Sequence, residues 1–120
     1  YHKLNFVADD GAEWIRVNGT DNMIVFTSGG VLEYFTQQQL KHLFRSLNHL
    51  KNTIFIAIEP IGVDVDFTKN PNSQPYGIER SFSHYYTQRF EDTGFSLWYQ
   101  SVIEGVQKEA DFGVFGAINL

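Results

Sequence analysis

MIVFTSGGVLEYF, residues 23–35, is the stretch that decides the fold, because its apolar run stops abruptly at two glycines. The run Met23–Phe26 does not alternate apolar with polar residues, which is typical of a strand covered by helices on both faces. Gly29 and Gly30 then allow the backbone to approach a ligand where a side chain would collide. The stretch predicts a buried strand of an α/β sheet that opens into a glycine-lined ligand site.

A second run repeats this plan. Thr53–Ile58 is apolar and is followed by Glu59, Pro60 and Gly62, which are expected to end the strand. Open α/β sheets bind their ligands at the carboxyl ends of the strands. Two neighbouring strands are therefore predicted to end in functional loops.

The composition narrows the class of protein. A chain of 120 residues has the length of one domain or of part of one, and a net charge of −5 with dispersed basic residues disfavours nucleic acid as a partner. The absence of cysteine excludes disulfide and thiolate chemistry. No apolar stretch approaches the roughly 20 residues that span a bilayer, and no signal peptide opens the chain. These features predict a cytoplasmic protein without a membrane partner.

The remaining pattern alternates helices with strands. Thr36-Gln37-Gln38-Gln39 has the spacing of a capping box and predicts a helix start at Thr36. An apolar stripe follows at helical spacing, made of Leu40, Leu43, Phe44, Leu47 and Leu50. The first predicted elements are a strand Leu4–Ala8 and a turn Asp9–Gly11. Ala12–Val17 is predicted as a short helix, with a strand as the alternative if the Asp-Gly pair makes a hairpin. The later elements are a single turn Val31–Phe35, a long binding loop Val63–Gly77, a helix from Ser81 with Gly94 as its cap, and an antiparallel pair Phe95–Ile103 and Phe112–Leu120.

Several of these stretches resemble, in the correct order, the C-terminal half of a class I S-adenosylmethionine-dependent methyltransferase. FVADDGA, residues 6–12, is similar to the acidic segment after the third strand of that family, and MIVFTSGGVLEYF to the fourth strand with its turn. Ile54–Pro60 resembles the fifth strand, and the two last strands resemble the terminal hairpin. The resemblance implies an α/β, Rossmann-like methyltransferase sheet that is mainly parallel, with a terminal antiparallel hairpin and helices on its faces.

The sequence also departs from that family. The glycine-rich loop after the first strand and the acidic residue that ends the second strand have no counterpart, and Gly29-Gly30 follows the wrong strand to replace them. Residues 1–120 are therefore expected to form a single, incomplete domain. In the family's sheet Met23–Thr27 lies beside the missing first strand, so its edge is expected to pair with the N-terminal segment or with a second copy.

The resemblance implies a site for S-adenosyl-L-methionine. Asp10 would accept a hydrogen bond from the adenine amino group beside the Gly11 backbone, and Ser28 and Gly29 would border the methionine part. From the residues alone, an Asp-Gly turn is the favoured interpretation of Asp10-Gly11, and the resemblance makes the two interpretations even. Ser28-Gly29 is equally well explained as a tight turn. No metal site is predicted, since Asp64-Val65-Asp66 lacks the glycine and glutamate of a calcium loop.

The acceptor side of the site is predicted from the later part of the chain. His84, expected on the helix after the long loop, could take a proton from a hydroxyl, and Glu59 could orient the acceptor or accept its proton. Each has a structural alternative, as a hydrogen-bonded histidine and as a strand-end carboxylate. Tyr76, Phe82 and Tyr85 are candidates for the acceptor pocket, although aromatic residues at such spacings commonly belong to a core.

Three functions remain open. The first is methyl transfer to a small-molecule acceptor at oxygen. The absence of the Asn/Asp-Pro-Pro-Tyr sequence of amino-directed nucleic-acid enzymes disfavours a DNA base as the substrate without naming another. The second is a nonenzymatic interaction domain that pairs through the strand edge Met23–Thr27. The third is another Rossmann-like enzyme such as a dehydrogenase, against which the missing glycine fingerprint and the terminal hairpin both count.

Overall fold

The structure of the chain is a computed structural model that describes residues 8–77 and 81–119, with the backbone alone for residues 8–10. The helices are α1 (Ala8–Asn18), α2 (Gln37–Asn48) and α3 (Tyr86–Asp92), and a 3₁₀ turn covers Leu32–Tyr34. None of these helices has the length and apolar content needed to cross a membrane. The strands are β1 (Ile24–Ser28), β2 (Ile54–Gly62), β3 (Gln74–Tyr76), β4 (Ser81–Ser83), β5 (Ser96–Ile103) and β6 (Ala110–Ile118).

The main sheet has four strands in the order β1-β2-β6-β5. β1 and β2 are parallel, whereas β6 runs antiparallel to both β2 and β5. The predicted terminal hairpin is therefore confirmed. The prediction of a mainly parallel sheet is wrong for the described residues, because β6 returns between β2 and β5 and makes two of the three pairings antiparallel. The domain is α/β with a mixed sheet.

The three helices share one face of this sheet. The core cluster joins Ile15 of α1 and Phe90 of α3 to the stripe of α2. From the sheet it takes Phe55 and Ala57 of β2 with Phe115 and Ala117 of β6, which have the same side-chain direction. No described helix covers the opposite face, so the expectation of helices on both faces is wrong for the described residues. β1 pairs with β2 and with no other described strand.

The start of α2 follows its local sequence. The Thr36 hydroxyl accepts a hydrogen bond from the Gln39 backbone N–H at 3.2 Å, and the Thr36 N–H donates to the Gln39 side chain at 2.9 Å. The predicted capping box is confirmed. The predicted apolar stripe is also confirmed, because its first four members are buried: Leu40, Leu43, Phe44 and Leu47.

Thr36→Ala is expected to lower the free energy of unfolding by about 1 kcal/mol, since it leaves an N-terminal N–H of α2 without its side-chain acceptor. Urea unfolding followed by circular dichroism measures the change. Thr20→Ala, at an exposed position before β1, is the control and is expected to change stability by less than about 0.5 kcal/mol. Equal effects of the two substitutions would contradict a stabilising cap.

The predictions for the N-terminal segment can be compared with the structure only from residue 8 onward. The predicted strand Leu4–Ala8 lies outside the described residues except for Ala8, which begins α1. The short helix predicted over Ala12–Val17 is confirmed within α1. Asp9–Gly11 form the first turns of that helix and do not close a strand, because the helix begins earlier than the Asp-Gly pair indicated.

The segment after β2 differs most from its prediction. The expected loop Val63–Gly77 ends in β3, which pairs with β4. The helix predicted from Ser81 is wrong for residues 81–85, and α3 begins at Tyr86. Ser81–Ser83 forms a strand and not a helix because its backbone pairs with that of β3. Gly94, with φ at 95°, follows α3 as the predicted cap. β2 continues through Pro60. Proline has no N–H to donate, and β1 ends at Ser28 beside Ile58, so no described strand pairs with Pro60 on that side of β2.

Candidate functional site

β1 ends at Ser28, beside Ile58 of the parallel strand β2, and its carboxyl end carries the glycine turn. Gly29 donates its N–H to the Ile58 carbonyl at 3.0 Å, which holds the first residue of the turn against β2. Gly29 and Gly30 have φ angles of 81° and 104°, a region that favours glycine. A Cβ on Gly29 would meet no atom within 4 Å. The backbone at this strand end is therefore open to a ligand, and the neighbouring Ser28 is exposed.

A cleft of about 420 Å³ opens at these strand ends. Its described lining includes Gly29 from the turn, Tyr76 from β3 and Glu109 from the β5–β6 connection. Carboxylates and hydroxyls dominate, and no described lining residue is basic: the lining consists of Gly29, Glu33, Tyr34, Pro60, Tyr76, Gly77, Ser81, Gln107 and Glu109. Such a lining suits a ligand that carries positive charge or hydrogen-bond donors.

Glu59 lies behind the glycine turn and is fully buried. Its carboxylate accepts hydrogen bonds from the backbone N–H groups of Val31 at 3.0 Å and Leu32 at 2.7 Å. Burial raises the pKa of Glu59 to about 7, while these hydrogen bonds and the nearby Thr27 hydroxyl act in the opposite direction. Glu59 thus ties the turn after β1 to the end of β2.

His84 is also fully buried, and it follows β4 outside the helix on which it was predicted. Its Nε2 lies 3.0 Å from the Leu32 carbonyl, which can only accept, so Nε2 carries the proton. Its Nδ1 therefore accepts from the Ser73 hydroxyl at 2.6 Å. Burial lowers the pKa of His84 to about 4, so the ring is neutral at pH 7.

Leu32 is therefore held on both sides of its backbone, its N–H by Glu59 and its C=O by His84. Both groups predicted to be catalytic use their polar atoms on the turn that follows Gly29 and Gly30. In this arrangement they position the glycine turn, and neither lines the cleft.

Tyr76 and Glu33 form the polar pair at the cleft surface. The Tyr76 hydroxyl donates to the Glu33 carboxylate at 2.6 Å. Burial and this carboxylate raise the pKa of Tyr76, so the phenol keeps its proton at neutral pH. Tyr76, predicted to contact an acceptor, does line the cleft.

The other two aromatic candidates lie elsewhere. Tyr85 stacks on Phe67 of the long loop with ring centroids 4.8 Å apart. Phe82 stacks near the His84 ring at 5.9 Å. Neither is among the lining residues of the cleft, so the structure does not bring the three predicted acceptor residues together.

The predicted adenine-binding residues are placed only in part. The Asp10 side chain lies outside the described residues. Gly11 is buried within α1, which shields its backbone. Within residues 8–77 and 81–119, no group of three or more His, Asp or Glu side chains is arranged to hold a metal ion.

Sequence reasoning missed Glu33 and Ser73. Glu33 lies on the 3₁₀ turn and meets a tyrosine 43 residues away, for which no local pattern exists. Ser73 stands opposite His84 because the β3–β4 register pairs Gln74 with Ser83, the two residues just inside them. The hairpin was the available signal, but a helix was predicted over its second strand.

Comparisons with known proteins add no assignment. No protein-family model matches the sequence, and no curated protein matches it significantly.

Proposed function

We propose that this chain contributes to S-adenosylmethionine-dependent methyl transfer to a small-molecule acceptor at oxygen. The observation that carries the proposal is the open glycine turn at the carboxyl end of β1, which pairs in parallel with β2. The terminal hairpin and the order of the elements support it, since both agree with the sequence resemblance. An S-adenosylmethionine site of this kind makes the protein an enzyme of the methyltransferase class.

The residues at the cleft fit such a cofactor on two grounds. The backbone of Ser28 and Gly29 is open where the resemblance expects the methionine part, and Asp10 would form the adenine side without the shielded backbone of Gly11. The cleft also has carboxylates and no described basic residue, which suits a sulfonium cation. When bound, the cofactor supplies an electrophilic methyl group that passes to an acceptor nucleophile.

The residues of this chain then have different roles. Tyr76, held by Glu33, is the group placed to hydrogen-bond an acceptor in the cleft. Glu59 and His84 act as positioning residues, because they hold the turn that presents Gly29. Correct placement of the acceptor behind the methyl group is a large part of the rate in such transfers, so rigid support of this turn matters for catalysis.

Gly29→Ala is expected to weaken binding of S-adenosylhomocysteine at least tenfold, because its new methyl group would occupy the open side of the turn. Calorimetric titration measures this in the 120-residue chain and in the longest version that its source produces. Gly105→Ala is a matched control: Gly105 also has a positive φ, 75°, and a Cβ added there would likewise meet no atom within 4 Å. Both substitutions therefore carry a similar backbone cost of about 1 kcal/mol.

The titration separates the hypotheses. Binding that Gly29→Ala weakens and Gly105→Ala leaves within twofold supports the proposal. Failure of both wild-type chains to bind, with each shown to be folded by circular dichroism, contradicts it. The second candidate, a nonenzymatic interaction domain, is favoured by the apolar face of the sheet that no described helix covers, and it predicts that outcome.

A further inference from the structure

The face of the sheet opposite the helices is apolar and uncovered by any described helix. Side chains on this face come from every strand, and three of them are strongly exposed: Ile24 at 68%, Phe26 at 59% and Trp98 at 55%. Alternation along the strands places Ile56 and Val114 on the same face. Ile56 of β2 is the pairing partner of Phe26, and Val114 lies on the next strand, β6. The face thus runs from edge to edge of the sheet.

Trp98 lies on β5, at the edge of this face opposite β1. It is the extra residue at the irregularity between Leu97 and Tyr99, where the register of β5 against β6 shifts. Its ring reaches to 2.6 Å of the position that a Cβ of Gly116 would take. Glycine at that position of β6 lets the indole lie flat over the strand, which extends the apolar surface beyond β6.

Charge is absent from this face. None of the strand residues whose side chains point to it is Asp, Glu, Lys or Arg, although the chain carries 9 basic and 14 acidic residues. A sheet that packs one face on the core usually presents polar side chains to solvent on the other face. A contiguous apolar face without charges marks an interaction surface.

We propose that this face is the docking surface for a second copy of the chain, with the two sheets packed face to face. The inference is independent of the proposed methyl transfer. Each copy presents the same uncharged surface, so a two-fold pairing meets no like-charge contact at its centre. Two sheets stacked about 10 Å apart form a common protein core.

The size of the face favours a second copy over one helix of a partner. At about 3.3 Å per residue and about 4.8 Å between strands, its footprint is on the order of 500 Å². Two copies then bury about 1,000 Å², which is the smallest area that suits a specific interface and is typical of weak association. A single helix about 10 Å across would cover about half the width of a four-stranded sheet.

The proposal is tested by light scattering coupled to size exclusion on the 120-residue chain, over a hundredfold range of concentration. The wild type is expected to approach twice the monomer mass. Phe26→Lys and Trp98→Lys are expected to be monomers at all concentrations, because each buries an ammonium at the interface. Both positions are more than half exposed, so circular dichroism should show unchanged folding.

Val17→Lys is the matched control, since Val17 on α1 is 62% exposed and the substitution changes the net charge equally. It is expected to dimerise like the wild type. A dimer that survives Trp98→Lys but not Phe26→Lys would overturn the proposal in favour of pairing through the β1 edge. A wild-type monomer at all concentrations would also overturn it.

A measurement on the unaltered chain guards against variants that fail to fold. Isotope-filtered nuclear Overhauser spectra of a mixed labelled and unlabelled sample detect contacts between copies. Contacts from the Ile56 and Val114 methyl groups to the Trp98 ring of the other copy are expected. Intermolecular contacts confined to residues of the helices would contradict the proposed face.

Discussion

Glu59→Gln is expected to gain stability over the wild type as the pH rises, by on the order of 3 kcal/mol between pH 4.5 and pH 8. Burial raises the pKa of Glu59 from its ordinary 4.5 to about 7, so the folded chain binds this proton more tightly than the unfolded chain. The stability that Glu59 contributes is therefore greatest below pH 4.5 and falls until pH 7. Glutamine has no proton to lose and keeps an oxygen for the Val31 and Leu32 N–H groups.

His84 produces the opposite slope in the same range. Burial lowers its pKa from 6.5 to about 4, so the folded chain resists protonation. Its stabilising contribution is complete above pH 6.5 and is lost as the pH falls to 4, again by on the order of 3 kcal/mol. Because the two effects oppose each other, the wild type is expected to have nearly constant stability between pH 4.5 and pH 6.5.

Single substitutions should separate these slopes. Urea unfolding at several pH values is expected to show Glu59→Gln losing stability in acid and His84→Gln gaining it, with little slope in the double variant. Glu13→Gln, at an exposed residue paired with Arg16, is the control and should keep the wild-type profile. If Glu59→Gln retains that profile too, Glu59 does not titrate near neutral pH in the folded chain.

Phe44→Ala is expected to lower the free energy of unfolding by about 4 kcal/mol. Phe44 is fully buried, stacks on Phe90 with centroids 4.2 Å apart and meets the edge of Phe55 at 5.3 Å. Its removal leaves a cavity between α2, α3 and β2 that these rings cannot refill without leaving their own contacts. The free energy of unfolding of a domain is only about 5–15 kcal/mol, so the variant is expected to unfold at a much lower urea concentration.

Urea unfolding of Phe44→Ala, with Phe67→Ala as the control, measures this effect. Phe67 is half-buried in the long loop and stacks on Tyr85, so its loss is expected to cost about 1 kcal/mol. Phe44→Leu should recover much of the stability, because leucine refills most of the volume. A cost below about 2 kcal/mol for Phe44→Ala would show that the helices do not depend on this aromatic cluster.

Much of the local structure follows from short stretches of sequence. The capping box at Thr36 and the apolar stripe from Leu40 predict α2, because a helix needs only neighbours within a few turns to satisfy its start and direct its face. The turn after β1 and the cap at Gly94 are likewise local, since their glycines adopt a positive φ that other residues avoid.

The candidate site was predictable only in outline. The glycine turn at the end of β1 could be placed beside β2, but its supports could not. Glu59 is 27 residues from Leu32, and His84 is 52 residues from it. Whether a carboxylate or imidazole faces a ligand or a backbone group depends on how segments far apart in the chain pack together. The spacing of residues within one segment does not predict that packing.

By itself the sequence determined the start of α2, the terminal hairpin and the glycine positions after β1 and α3, because hydrophobic spacing, caps and glycine angles act over a few residues. The tertiary structure alone decided that β6 enters between β2 and β5, that Ser81–Ser83 joins a strand, and that Glu59 and His84 hold Leu32. It also decided that, among the described elements, only one face of the sheet carries helices. These outcomes depend on pairing and packing between segments far apart in the chain, where the competing arrangements use the same local pattern and differ only in which surfaces they bury.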